Sequence, residues 1–218
     1  MIFASLIASV IPMSAYLFLI WKMDRYEPEP LKFVLYHFIW GAFGAVLLSV
    51  IGSKLLSIPL ELMIIETTKL SFLQTILIAP FVEELTKGAF LFRTVNDKRF
   101  DNLTDGLVYG GAIGLGFGMT ENFLYFIAYG TTLESWISIV IIRSGFSAVM
   151  HCMATASFGA MLAISKFSTG IKKRLLPYFG LGIAMFIHFI WNFSVSFSNT
   201  YLLGLLFILI ILSTFIIV

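Results

Sequence analysis

Charge is what this chain has least of. Of its 218 residues only 12% are Asp, Glu, Lys or Arg, against 59% hydrophobic, and the mean hydropathy is +0.97. Soluble domains carry about a quarter charged residues, so a water-soluble globule is excluded and an integral membrane protein is implied. At this length it reads as one helical domain over residues 1–218, with no room for a separate soluble one. Cysteine is nearly absent: Cys152 stands alone inside an apolar run, so no disulfide framework exists. The opening stretch MIFASLIASV has no basic n-region and reads as a retained first helix, not a cleaved leader. There is no HExxH pair, no strand before the Gly-x-Gly pieces and no inverted repeat. Those absences remove the zincin helix and the nucleotide loop, and they weaken a transporter reading. Nothing points to nucleic acid.

Apolar runs divide the chain into seven expected spans: 2–21, 31–52, 70–92, 105–129, 136–165, 175–197 and 200–218. The segment 53–69, punctuated by Glu61 and Glu66, is expected to lie in the interface. The first, third and fifth loops hold ten Lys and Arg residues, while the alternate loops hold only Lys54 and Lys69. That bias predicts an all-α, multi-pass bundle with its N-terminus outside and its C-terminus in the cytoplasm. The cytoplasmic turn with Asp24, Arg25, Glu27 and Glu29, shaped by Pro28 and Pro30, is expected to be solvated.

The few charges inside the spans then become informative. Glu83, Glu84 and Lys87 fall near the middle of 70–92, where each ionised residue costs roughly 2.5–3.5 kcal/mol to insert. Glu121, Arg143, His151, His188 and Asn192 lie in three other spans. By span position Glu83, Glu84, Glu121 and His188 share one depth, and acids meeting imidazoles from separate helices is how bundles build sites. Lys87, one turn from Glu83, is expected to neutralise a carboxylate. Of Glu83 and Glu84, one faces the reacting centre and the other braces it. Pro80 is expected to kink or restart its helix and set the glutamates near a positive helix end. His188 and Asn192 share a face and pair an acid or base with an oxyanion donor. Arg143, by its place near the outer interface, reads equally as a snorkelling side chain, and His151 equally as a core histidine. Gly106, Gly110, Gly114 and Gly118 form a stripe for close helix packing.

These pieces resemble the PrsW family of intramembrane proteases, relatives of the CAAX prenyl protease and bacteriocin-immunity superfamily. The matching segments are DRYEPEP (24–30), PFVEELTK (80–87), FGMTENF (117–123), RSGFSAVMH (143–151) and HFIWN (188–192), in the family's order. The resemblance implies a glutamate-dependent peptidase of the bacterial cell membrane. Its substrate would be a single-pass, membrane-anchored anti-sigma factor, cut first on the extracytoplasmic side before later proteases release the sigma factor. It implies a catalytic group of Glu83, Glu84, Glu121, His188 and Asn192, supported by Lys87, Arg143 and His151, with no metal and no cofactor. The CAAX-type relatives carry histidine where Glu121 stands. A zinc peptidase using Glu121, His151 and His188, a proton-coupled transporter and a non-catalytic binding protein are the alternatives.

Overall fold

The computed structural model describes residues 1–24 and 27–217; Arg25 of the first turn lies outside the described residues, with Tyr26 and Val218. Seven helical rods make up the bundle, and no strand occurs among the described residues. They are α1 (Ile2–Met23), α2 (Leu31–Met63), α3 (67–94), α4 (Leu103–Tyr129), α5 (Leu133–Lys166), α6 (Gly170–Val195) and α7 (Tyr201–Ile217). Four stretches are long and apolar enough to cross a membrane by themselves: Ile2–Lys22, Leu31–Met63, Leu133–Lys166 and Gly170–Val195. The rods α3 and α4 fall short of that hydropathy because they carry the acids and the glycines.

Two boundary expectations need correction. The second rod does not end at residue 52 but runs on to Met63, and α3 begins at Thr67, so 53–69 comprises the end of one rod, a short break at 64–66 and the start of the next. Lys54, Pro59 and Glu61 punctuate the sequence there, yet all three sit exposed on a helix long enough to project. Pro80 likewise does not restart α3. The five-residue π-helical turn Gln74–Ile78 leads directly into helix Ala79–Thr94 and absorbs the missing N–H, so Glu83 and Glu84 sit in a helix interior. Two further π-helical turns interrupt α2 at Trp40–Ala45 and α5 at Arg143–Ser147.

The tightest seam joins α4 to α5, and the glycine stripe makes it. A Cβ on Gly106, Gly110 or Gly114 would stand 2.3, 2.4 or 2.2 Å from the carbonyl oxygens of Gly159, Thr155 and His151. The stripe is therefore packing, as its spacing implies, and it fixes the residues of α5 that face the site. On the other flank His37, fully buried in α2, sets Nε2 2.8 Å from Thr94 Oγ1 and ties α2 to α3 away from the glutamates.

At the face where α1 ends, the expected solvated turn is partly buried. Asp24 and Glu29 are each 6% exposed; Trp21 Nε1 donates to the Glu29 carbonyl, and the Tyr109 hydroxyl donates to its carboxylate. Within EPEP only Glu29 turns inward against α1 and α4, while Glu27, Pro28 and Pro30 stay exposed. Burial, with the neighbouring Asp105 carboxyl adding to it, pushes Glu29 up from 4.5 to about 7, against the Tyr109 hydrogen bond.

Two outcomes follow from these contacts. Gly114→Ala should lower the thermal unfolding midpoint in detergent, at a cost of about 1–3 kcal/mol, because backbone stands in the way. Gly182→Ala, with nothing within 4 Å, is the neutral control. The native state also holds a proton on Glu29 that the unfolded chain gives up above 4.5. Stability should therefore fall as pH rises from 4.5 to about 7, and Glu29→Gln should remove that slope. An unchanged slope in the variant would assign the effect elsewhere.

Candidate active site

One helical turn of α3 projects Glu83, Glu84 and Lys87 into the bundle. Lys87 and Glu84 are fully buried and form the central ion pair, with Nζ 2.7 Å from Oε1. The same Glu84 oxygen accepts from His188 Nδ1 of α6 at 2.9 Å, and the other accepts from Thr155 Oγ1 of α5 at 3.1 Å. Glu84 is thus spent on three neighbours. Glu83 is not: its Oε2 has no hydrogen-bond partner among the described residues, although its side chain is only 13% exposed. Lys87 Nζ and His188 Nε2 each stand 3.8 Å from that oxygen. Of the two glutamates, Glu84 is the one tied to its neighbours by hydrogen bonds.

A second strand of the network enters through α4. Glu121 Oε2 accepts from Arg143 Nη2 at 2.6 Å and faces His151 Nε2 at 2.7 Å. Arg143 Nε donates to Asn122 Oδ1 at 3.0 Å, and its guanidinium lies 3.6 Å from the centre of the Tyr125 ring. Arg143 therefore does not snorkel; it turns inward and braces Glu121. His151 closes the circuit, with Nδ1 2.9 Å from Lys87 Nζ and its ring edge-on to His188, centroids 4.8 Å apart. It is no isolated core histidine. Lys87 also caps the face of Phe117 at 4.0 Å.

Asn192 has a partner of its own. Its amide donates to the Thr75 carbonyl at 2.9 Å, inside the π-helical turn that precedes Pro80. Thr155, Asn122 and Tyr125 are the contributors that sequence reasoning missed. Thr155 carried a signal, since it lies four residues after His151 and so on the same face of α5.

Four helices, α3 to α6, contribute to one closed network of acids and imidazoles. The sequence profile described as "PrsW family intramembrane metalloprotease" matches residues 29–218. The chain belongs to the PrsW family. Among its curated relatives, the protease PrsW of Geobacillus kaustophilus is 30% identical over 189 residues, covering 83% of this chain and 78% of that one. The protease PrsW of Clostridioides difficile is 26% identical and covers 94% and 84%; that of Bacillus subtilis is 26% identical and covers 89% and 84%. No solved structure matches the chain. Membership makes it an intramembrane protease, and that favours the peptidase over the transporter and binder readings.

The family description names a metal, so the donor set must be tested against one. Glu83, His151 and His188 place one donor atom each within 4.8 Å of one another, and two imidazoles with a carboxylate suit catalytic zinc. Glu121, expected as a ligand in the zinc alternative, is instead held behind His151 by Arg143. The residue types fit, but the lone pairs do not. An ammonium can only donate, so His151 Nδ1 accepts from Lys87 and the ring proton sits on Nε2, donating to Glu121. His151 then has no lone pair to give, and Glu83 with His188 falls short of three ligands.

The division between the glutamates predicts different thermal stabilities. Glu84→Gln takes the close counter-ion from the buried Lys87 ammonium, leaving only Glu83 at 3.8 Å, and should cost about 3–5 kcal/mol. Glu83→Gln removes only ion pairs at 3.8 Å and should shift the unfolding midpoint in detergent far less. Equal losses would mean the two share one structural role.

Proposed function

We propose that this chain is a glutamate-dependent intramembrane protease that hydrolyses a peptide bond in a single-pass membrane protein. Its substrate class in this reading is a membrane-anchored anti-sigma factor. The carrying observation is Glu83 Oε2, a buried carboxylate oxygen with no hydrogen-bond partner among the described residues, 3.8 Å from an imidazole nitrogen whose ring is already oriented. Two acceptors at that separation suit a single bridging water.

In this mechanism the water donates one hydrogen to Glu83 Oε2 and the other to His188 Nε2, which aims an oxygen lone pair at the substrate carbonyl. The new C–O bond forms as Glu83 takes the first proton. The C–N bond breaks as Glu83 passes that proton to the leaving amine. Glu84 is a positioning residue: it accepts from His188 Nδ1 and so leaves the Nε2 lone pair free for the water. Asn192 has a second amide hydrogen beyond the one given to Thr75, and it serves the tetrahedral oxyanion. Glu121 acts through His151, and Arg143 holds Glu121.

Glu83, Glu121 and Arg143 keep 13, 21 and 12% of their side-chain exposure, whereas Glu84 and Lys87 keep none. That gradient supports access from the Glu121 side, in the half of α4 that ends at Tyr129. The Lys and Arg bias of the loops supports placing that half outside, with the first cut made extracytoplasmically in a bacterial cell membrane. The test is reconstitution of purified enzyme with a single-pass anti-sigma factor in liposomes. Glu83→Gln and His188→Ala should each lower cleavage by about 10²–10⁴-fold while leaving folded protein in the membrane. Wild-type rates in either variant would overturn this assignment.

A further inference from the structure

We propose that Lys87 is the resident cation of this site, and that its ammonium excludes a divalent metal from donors that would otherwise hold one. The inference rests on the geometry of the network and not on the proteolytic reading. Lys87 is fully buried. Its Nζ reaches Glu84 Oε1 at 2.7 Å and His151 Nδ1 at 2.9 Å, and it lies 3.8 Å from Glu83 Oε2. Two of the three residues whose donor atoms converge, Glu83 and His151, are thus neighbours of one ammonium. An ion bound among Glu83, His151 and His188 would need the lone pair that the ammonium holds, and it would sit beside a like charge at low dielectric. The face of Phe117, 4.0 Å away, gives Lys87 a further reason to stay.

The sequence spacing produces this arrangement. Lys87 lies four residues after Glu83 and three after Glu84, so one turn of α3 lays a single ammonium across both carboxylates. Glu121 completes the lock from the other side of His151, because its carboxylate keeps the ring proton on Nε2 and leaves Nδ1 to the lysine. A positively charged side chain thereby does the electrostatic part of a metal's work, balancing carboxylates and drawing them together. It offers no open coordination position.

Cobalt(II) is the probe, since its visible d–d bands report a tetrahedral protein site directly. Purified wild-type protein in detergent should show no such bands on titration. Lys87→Met should bind one ion at least about tenfold more tightly than wild type, and Lys87→Met/His151→Ala should lose it again. Added Zn²⁺ should also raise the unfolding midpoint of Lys87→Met and leave that of wild type unmoved. Wild-type protein that takes up one cobalt ion, with bands that vanish in His151→Ala, would overturn the proposal whether or not Lys87→Met can be purified. So would folded Lys87→Met that binds none. Loss of cleavage in Glu83→Gln bears on neither result, so the failure of one reading is distinguishable from failure of the other.

Discussion

The ion pair between Lys87 and Glu84 is the constraint around which this bundle is organised. Two charges taken out of water cost several kcal/mol each, and only close geometry with further hydrogen bonds offsets that. Here Glu84 meets the requirement with acceptors used toward α5, α6 and its own helix. The three rods cannot drift apart without leaving a charge unmatched. The polar network therefore does for this protein what apolar burial does for a soluble core, since lipid removes most of the hydrophobic drive between helices.

Backbone geometry makes that network reachable. Glycines let α4 lie almost in van der Waals contact with the main chain of α5, which carries His151 to Glu121 and Thr155 to Glu84. A bulkier seam would set the imidazole back from its carboxylate. The π-helical turn before Pro80 supplies the carbonyl that engages Asn192 and so joins α3 to α6 at a second point. Stability and chemistry draw on the same few contacts.

How much of this was legible in the sequence follows from what charge costs in hydrocarbon. Glu83, Glu84, Glu121 and His188 announce themselves because each is expensive where it stands, and their common depth follows from counting along the spans. The division of labour between Glu83 and Glu84 was not legible, since adjacent positions differ only in helical phase and the deciding partners lie on α5 and α6. Arg143 stayed open between snorkelling and support for a related reason: its distance from the interface fits snorkelling, and only the tertiary fold supplies Glu121 and Tyr125 beside it. The EPEP turn misled in the opposite direction, because charge and proline read as solvated while Tyr109 and Trp21 draw Glu29 inward.

The wide turn at Arg143–Ser147 resets the rotational phase of α5. Arg143 and His151 are eight residues apart, which on a regular helix leaves them about 80° out of alignment. A π-bulge is in effect one inserted residue, worth roughly 100° of rotation, and it brings the pair to within about 20° of each other. That is why both side chains arrive at the same oxygen of Glu121. The irregularity is thus an angular gear, converting a spacing that would miss into one that meets.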